Sequence, residues 1–107
     1  MNAYLKYESR ILQVQGDLVT LGRKLDNTIV LSAKSVSRYH AEIVLINGDY
    51  FLRDLNSSSG TYLNERRVAH AVQLKSGDQI TIADISLEFI LSDEDLDTTS
   101  KKRTEQL

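Results

Sequence analysis

The stretch AEIVLINGDYFL, residues 41–52, decides the fold class of this chain. Apolar residues alternate with other residues over positions 41–45, and a second short apolar segment follows at positions 50–52. The residues between them, Asn-Gly-Asp at positions 47–49, are typical of turns. Because alternation with a period of two buries one face of an extended chain, the stretch predicts two β-strands joined by a turn.

Similar segments recur along the rest of the sequence at a spacing of about ten residues, and turn-forming residues separate them. No segment before residue 92 keeps the apolar spacing of a helix, at i, i+3, i+4 and i+7, for long enough to predict one. Short strands at regular spacing favour a sandwich or a barrel, so we predict an all-β fold. The remaining segments are 5–7, 12–14, 18–21, 28–31, 79–82 and 85–91.

Composition limits the classes of function. The chain has 107 residues, of which 41% are hydrophobic and 26% charged, as expected for one soluble globular domain. Its formal net charge of −2 is not the basic excess typical of proteins that bind nucleic acid or anionic membranes. Cysteine is absent, which excludes disulfides and thiolate metal sites. We predict a cytoplasmic protein with no metal, no cofactor and no nucleic-acid or membrane partner, in which any anion binding is local.

The composition changes at residue 92. From there the sequence SDEDLDTTSKKRTEQL, residues 92–107, is acidic first and basic afterwards, and it has almost nothing to bury. We predict that residues 1–91 form the domain and that residues 92–107 are a flexible polar tail or linker.

Three separated patches place hydrogen-bond donors in predicted loops, two of them beside glycine. They are Gly22-Arg23, the sequence SRYH at residues 37–40, and the sequence SSSGT at residues 57–61. Such donors suit a phosphate dianion, because charge-assisted hydrogen bonds are about twice as strong as neutral ones and arginine engages two oxygens at once. Loops of this kind usually carry function, so we predict that the patches form one phosphate pocket.

With their surroundings, these patches resemble the forkhead-associated (FHA) family, block by block and in order. The blocks are LGR at 21–23, NTIVL at 27–31, SVSRYHA at 35–41, DLNSSSGTYLN at 54–64, and Leu74 followed by GDQI at 77–80. The resemblance implies an antiparallel β-sandwich of about eleven strands, whose loops at one end bind phosphothreonine peptides. It also implies a protein-protein interaction module in Ser/Thr kinase signalling, whose partner is a phosphothreonine-containing protein or peptide.

The resemblance assigns roles to three residues near the phosphate, and we add a fourth for its charge. Arg23 is similar to the phosphate-contacting arginine of the family, and Ser37 to the serine whose hydroxyl and backbone amide hold phosphate oxygens. Arg38 is similar to a residue that steadies the loop or touches the peptide backbone. Lys34 is expected to add positive charge at the rim.

Ser58 and Ser59 complete the predicted phosphopeptide-binding residues. Ser58 stands at the small-hydroxyl position that helps frame the phosphothreonine. Ser59 stands where the family usually has an asparagine that bonds the peptide backbone. Losing one neutral hydrogen bond costs about 0.5–1.5 kcal/mol, or roughly 2- to 13-fold in affinity, so we expect weaker or differently oriented peptide binding rather than none.

Four further residues are predicted to support the site without touching the peptide: Gly22, His40, Gly60 and Asn64. His40, together with Asp54 and several serines, also invites a catalytic hypothesis. The sequence, however, has no Gly-x-Ser-x-Gly elbow, no pair of histidines at metal-ligand spacing and no P-loop. We therefore predict that the chain is not an enzyme.

Two alternatives stay open at this stage. The first is a phosphate-independent interaction or oligomerisation module that uses a sheet face, which an exposed apolar patch together with a blocked pocket would favour. The second concerns Thr98, Thr99 and Thr104, which are possible phosphorylation sites that this domain or a second copy would bind. The competing explanation is that these threonines belong to a solvated linker.

Overall fold

The computed structural model describes residues 1–96 and 105–106. This part of the chain contains short β-strands and no helix. The strands are β1 (Asn2–Tyr7), β2 (Arg10–Val14), β3 (Leu18–Gly22), β4 (Ile29–Val30), β5 (Ala41–Ile46), β6 (Asp49–Asp54), β7 (Thr61–Leu63), β8 (Arg66–Arg67), β9 (Val72–Gln73), β10 (Gln79–Ile82), β11 (Ile85–Ser92) and β12 (Glu105–Gln106). In these described residues, no helix is long and apolar enough to cross a membrane.

The strands form two six-stranded sheets. The first sheet has the order β2-β1-β11-β10-β7-β8, and the second has the order β12-β4-β3-β5-β6-β9. Neighbouring strands are antiparallel except for β3 with β4 and β4 with β12, which run parallel. The prediction of an all-β sandwich is confirmed, and the predicted number of about eleven strands matches β1 to β11.

The stretch that predicted the fold class forms β5 and β6. Their antiparallel register runs from Ala41 opposite Asp54 to Ile46 opposite Asp49, and the turn at residues 47–48 joins them. Ile43 and Leu52 face each other across this pair and are both buried, as alternation requires.

The core lies between the two sheets. Each fully buried aliphatic or aromatic side chain contributes about 1.5–3 kcal/mol relative to an exposed one, so these residues fix the pairing of the sheets. The ring centroids of Tyr50 of β6 and Phe89 of β11 also lie 5.6 Å apart across the interior. The central core residues are Leu5, Val19, Leu21, Ile43, Leu52, Ile80, Ile82, Leu87 and Phe89.

The segment after β11 keeps contact with the first sheet. The buried Tyr4 hydroxyl donates a hydrogen bond to the Glu94 carbonyl at 3.0 Å and accepts one from the Leu96 amide at 3.2 Å. Further on, Glu105 and Gln106 pair with Ile29 and Val30. The sequence predicted a flexible polar tail or linker over residues 92–107, and that assignment stays a prediction. The division of the chain at residue 91 stays a prediction.

Strand direction brings the predicted site loops to one end of the sandwich. Because β3 is antiparallel to β5 and β5 to β6, the end of β3, the start of β5 and the end of β6 lie at the same edge of the second sheet. We call the connecting segments the first loop (residues 23–28), the second loop (residues 31–40) and the third loop (residues 55–60). These loops contain nine of the ten predicted binding and supporting residues or directly adjoin them, and Asn64 is the exception.

Candidate functional site

Hydrogen bonds tie the three loops into one unit around Ser37. The Arg23 amide donates to the Ser37 carbonyl at 3.0 Å, which joins the first loop to the second. The Ser58 amide donates to Ser37 Oγ at 3.0 Å, which joins the third loop to the second. Ser37 is half-buried at the centre of this arrangement. The structure thus brings together Arg23, Ser37 and Ser58, as the sequence predicted.

The Arg23 side chain is held at its base and exposed beyond it. Its Nε donates to the Val36 carbonyl at 2.9 Å, which fixes the direction of the side chain. Four of the five N–H donors of an arginine lie on the two terminal nitrogens, and this bond does not use them. An oriented guanidinium loses less conformational freedom when it binds an anion, so Arg23 is preorganised for that task.

Gly22 permits the close packing of the first two loops. A Cβ atom at this position would lie 2.3 Å from the Arg38 carbonyl oxygen, a distance that no packing allows. That carbonyl accepts hydrogen bonds from the Lys24 amide at 3.2 Å and from Asn27 Nδ2 at 2.8 Å. Any side chain at position 22 would therefore push the second loop away from the first.

Asn27 is a residue that the sequence reasoning left without a role. Its side chain is buried, and its Nδ2 donates to the Lys24 carbonyl as well as to that of Arg38, both at 2.8 Å. It therefore clamps the first loop against the second. The sequence did contain a signal for this role, because Asn27 is the first residue of the quoted motif block at 27–31.

His40 joins the second loop to the third from inside the protein. The ring is fully buried, its Nδ1 accepts the Ser37 amide at 3.0 Å, and its Nε2 lies 2.8 Å from the Gly60 carbonyl. Because Nδ1 accepts, Nε2 carries the proton and donates to Gly60, which is the neutral tautomer. Both nitrogens are occupied, so the ring has no nitrogen left for acid-base chemistry in this arrangement.

The amide of Ser37 is used differently from what the resemblance implied. The family role has both the hydroxyl and the backbone amide of this serine on the phosphate, but here the amide bonds His40. The Ser37 hydroxyl accepts from Ser58 and keeps its own proton to donate. The next amide, that of Arg38, has no hydrogen-bond partner among the described residues and is a further candidate donor.

Asp54 organises the third loop. Its Oδ1 accepts hydrogen bonds from Ser57 Oγ at 2.5 Å and Thr61 Oγ1 at 2.6 Å, and its Oδ2 accepts the Ser57 amide at 3.0 Å. Burial alone raises the pKa of Asp54, but the hydrogen bonds from Ser57 and Thr61 outweigh burial and hold the pKa below its ordinary value. The carboxylate is therefore a structural anion at neutral pH. Asp54 precedes Ser57 by three residues, a spacing typical of turns that an aspartate side chain stabilises, so the sequence contained a signal for this loop conformation.

Ser59 makes a contact within the protein. Its Oγ donates to the Ser35 carbonyl at 2.8 Å, which adds a second link between the third loop and the second. Ser58 and Ser59 are both exposed. The hydroxyl of Ser59 thus lies at the predicted site but is already engaged.

Gly60 follows with a φ of +87°, a conformation that side chains rarely adopt. The amide of Gly60 donates to Ser57 Oγ at 3.0 Å, and its carbonyl accepts from His40. Gly60 and His40 therefore lie behind the loop surface, in contact with each other through the Gly60 carbonyl.

The remaining predicted residues divide into two groups. Lys34 and Arg38 have exposed side chains on the second loop, with no carboxylate partner in the part of the chain that the structure describes. Asn64 lies elsewhere, in the turn between β7 and β8. It bonds Asp78 Oδ1 through Nδ2 and accepts the Gln79 amide, both at 2.9 Å. Asn64 thus shapes a turn against β10 and does not meet the three loops. Thr98, Thr99 and Thr104 lie outside the described residues.

The site is a cluster of exposed cationic and hydroxyl donors on hydrogen-bonded loops at one end of a β-sandwich, an arrangement suited to an anion. The model of the family described as the FHA domain matches residues 19–83. The chain therefore belongs to the FHA domain family, and the predicted family is confirmed.

Relatives from one bacterium resemble the chain over most of its length. It is 40% identical over 79 residues to the transcriptional regulatory protein EmbR of Mycobacterium tuberculosis, covering 74% of this chain and 20% of that protein. It is 39% identical over 82 residues to the glycogen accumulation regulator GarA of the same species, covering 77% of this chain and 49% of that protein. The chain thus spans a fifth to a half of the length of these two relatives.

Solved structures give the same result for the fold. The structure of Mycobacterium tuberculosis EmbR in complex with a low-affinity phosphopeptide matches with a TM-score of 0.82 and 39% identity, covering 85% of this chain and 24% of that one. A structure from a study of phosphothreonine-dependent FHA domain interactions matches with a TM-score of 0.80 and 28% identity, covering 86% of this chain and 98% of that one.

Proposed function

We propose that this chain is a phosphothreonine-dependent protein-protein interaction module in Ser/Thr kinase signalling. The observation that carries the proposal is the placement of the Arg23 guanidinium and the Ser37 hydroxyl on one exposed loop end, with both residues fixed by hydrogen bonds. Membership of the FHA family and the phosphopeptide bound to the related EmbR structure support it.

The chemistry of these donors explains how the module distinguishes a phosphorylated threonine from an unmodified one. A hydrogen bond that involves a charged group contributes about 1.5–3 kcal/mol. Two such bonds, from Arg23 and from Ser37, therefore separate the two forms of the peptide by a factor on the order of 10²–10⁴. The partner is a protein or peptide that a Ser/Thr kinase has phosphorylated, and we expect an affinity in the micromolar range, about −8 kcal/mol.

The module recognises its partner without chemical conversion. His40 has both ring nitrogens engaged, and the carboxylate of Asp54 already accepts three hydrogen bonds from Ser57 and Thr61. Neither residue is then available as a general base, which supports the absence of catalysis. We place the interaction in the cytoplasm, where Ser/Thr kinases have access to ATP and to their substrates.

The direct experiment is a titration of the chain with a degenerate phosphothreonine peptide library and with the unphosphorylated library. Wild type is expected to bind only the phosphorylated library. Arg23→Ala is expected to lose at least tenfold in affinity, because it removes one charge-assisted contact. Arg66→Ala is the matched control, since Arg66 is an exposed arginine on β8, outside the three loops. Equal binding of both libraries, or of neither, by folded wild type would contradict the proposal.

A second candidate function is a phosphate-independent contact through the outer face of the second sheet. The observation that favours it is a row of apolar side chains there, Leu18 beside Val44 beside Phe51, with Leu18 52% exposed and Ile46 50% exposed nearby. The exposed cations of the loop end favour the phosphate reader instead. If the peptide titration fails, Leu18→Ser combined with Ile46→Ser, tested in solution for self-association by analytical ultracentrifugation, examines this face.

A further inference from the structure

Arg67 lies beside the third loop, although neither the sequence motifs nor the family roles assign it to the site. An added Cβ on Gly60 would lie 3.4 Å from both Cζ and Nε of Arg67, and 3.3 Å from a ring carbon of Tyr62. The Arg67 guanidinium therefore lies directly beside Gly60, at van der Waals distance from the position where a side chain would begin.

Strand pairing explains how Arg67 reaches the loop end. Arg67 pairs directly with Tyr62 across β7 and β8, so both side chains project from the same face of the first sheet. Thr61, between Gly60 and Tyr62, is fully buried, so that shared face is the outer one. Gly60 is two positions from Tyr62 towards the loops, and Arg67 therefore leans diagonally along the strand towards the site.

The charge of Arg67 is available to a ligand. The residue is exposed, and no carboxylate among residues 1–96 forms a salt bridge with it. One imidazole ring, that of His40, separates the Gly60 carbonyl from the Ser37 amide. An extended peptide advances at most about 3.3–3.6 Å per residue, so side chains two or three residues from a phosphothreonine bound at Ser37 come within reach of Arg67.

We propose that Arg67, seated on Gly60 beside Tyr62, forms an anion subsite that takes an acidic side chain of the peptide close to its phosphothreonine. Arg67 is then a specificity-determining residue, supplied by a strand and not by the three loops. The position matters because Ser59, the neighbour of Gly60, already uses its hydroxyl on Ser35. The inference rests on the proposed function.

The test uses a phosphothreonine peptide with alanine flanks, in which Asp replaces Ala singly at each of the three positions on either side. Wild type is expected to bind one of these peptides roughly two- to fivefold more tightly than the same peptide with Asn there, as for an exposed ion pair. Arg67→Gln is expected to bind the Asp and Asn peptides equally. Arg66→Gln, at the adjacent exposed arginine, is expected to keep the wild-type ratio.

A charge-reversal variant separates recognition from packing. Arg67→Glu is expected to prefer Lys over Asp at the same peptide position, which a purely structural role for Arg67 would not produce. Thermal unfolding of each variant checks that the sandwich is intact. Two results would show that this inference is wrong and leave the proposed function intact. In the first, wild type binds phosphorylated peptides without preferring an acidic residue at any position. In the second, Arg67→Gln lowers the affinity for the Asp and Asn peptides by the same factor, so that the wild-type preference for Asp remains. If wild type binds no phosphorylated peptide, both are wrong.

Discussion

At the scale of single residues, Ser59 shows how a short side chain changes the use of a site position. The resemblance places there an asparagine that reaches the peptide backbone, whereas the Ser59 hydroxyl donates to the Ser35 carbonyl and links two loops. Compared with a chain that has asparagine at this position, this one has one fewer side-chain donor for the peptide and one more hydrogen bond within its own site. The expected result is a more strongly connected loop end with a weaker hold on the peptide backbone.

Ser59→Asn is expected to bind a phosphothreonine peptide roughly 2- to 13-fold more tightly than wild type, because one neutral hydrogen bond to the peptide adds about 0.5–1.5 kcal/mol. Calorimetric titration measures this change. Ser59→Ala is the control, since it removes the bond to Ser35 without adding reach. If Ser59→Asn binds no more tightly than Ser59→Ala, position 59 does not contact the peptide.

At the scale of elements, the third loop depends on a single carboxylate. Asp54, the last residue of β6, accepts three hydrogen bonds, two from Ser57 within the loop and one from Thr61 at the start of β7. The loop therefore has its conformation before any ligand arrives. This preorganisation reduces the entropy cost of binding.

Asp54→Asn is expected to lower the free energy of unfolding by about 1–3 kcal/mol at pH 7, because an amide cannot accept all three hydrogen bonds. The pKa of Asp54 is lowered in the folded state, so its stabilisation is complete above the unfolded-state pKa, about 3.9, and is lost as the pH falls through the lower folded-state value. The difference in the free energy of unfolding between Asp54→Asn and wild type should therefore be constant over about two pH units, from pH 5 to pH 7. It should shrink in stronger acid.

Urea unfolding at several pH values measures this difference. Asp49→Asn is the matched control, because Asp49 is an exposed aspartate at the other end of β6 whose carboxylate has no hydrogen-bond partner in the described residues. A difference between Asp54→Asn and wild type that stays constant down to pH 2, well below about 3.9, would show that the charge of Asp54 is not what stabilises the loop.

The elements also show how much of the fold the sequence could predict. Strands with a clear alternation appear close to where the pattern places them, such as β10 at Gln79–Ile82, because burial of one face determines both the pattern and the strand. The two-residue strands β8, β9 and β12 carry no such pattern. They exist through pairing with a neighbour, which depends on the tertiary structure.

The same distinction applies to the candidate site. Motif spacing identified Arg23, Ser37 and Ser58, and the structure brings these residues together. Spacing could not reveal that the Ser37 amide bonds His40, since the direction of a backbone amide depends on the loop conformation. It also could not reveal Arg67, because the pairing of β8 with β7 decides which face Arg67 projects from. Asn64 belonged to a motif block but lies in another turn.

At the scale of the whole molecule, the charge distribution fits binding of a local anion. The chain has a formal net charge of −2, yet Arg23, Lys34, Arg38 and Arg67 are exposed at or beside the loop end. A peptide phosphate is therefore attracted by nearby cations and not by the overall charge. The affinity should then depend on the charge of the phosphate itself.

The second pKa of a peptide phosphate is near ~6, so about 90% of the groups are monoanions at pH 5. If the site prefers the dianion, the dissociation constant for a phosphothreonine peptide should rise by up to about tenfold between pH 7.5 and pH 5, since a tenfold smaller share of the peptide is competent. Fluorescence anisotropy measures the affinity, and phosphorus NMR of the free peptide gives its titration curve. Circular dichroism at each pH confirms that the sandwich stays folded.

An affinity that follows the phosphate titration supports recognition of the dianion by the loop end. An affinity that stays constant over this range would mean that the monoanion binds equally well and that hydrogen bonding, more than charge, holds the phosphate.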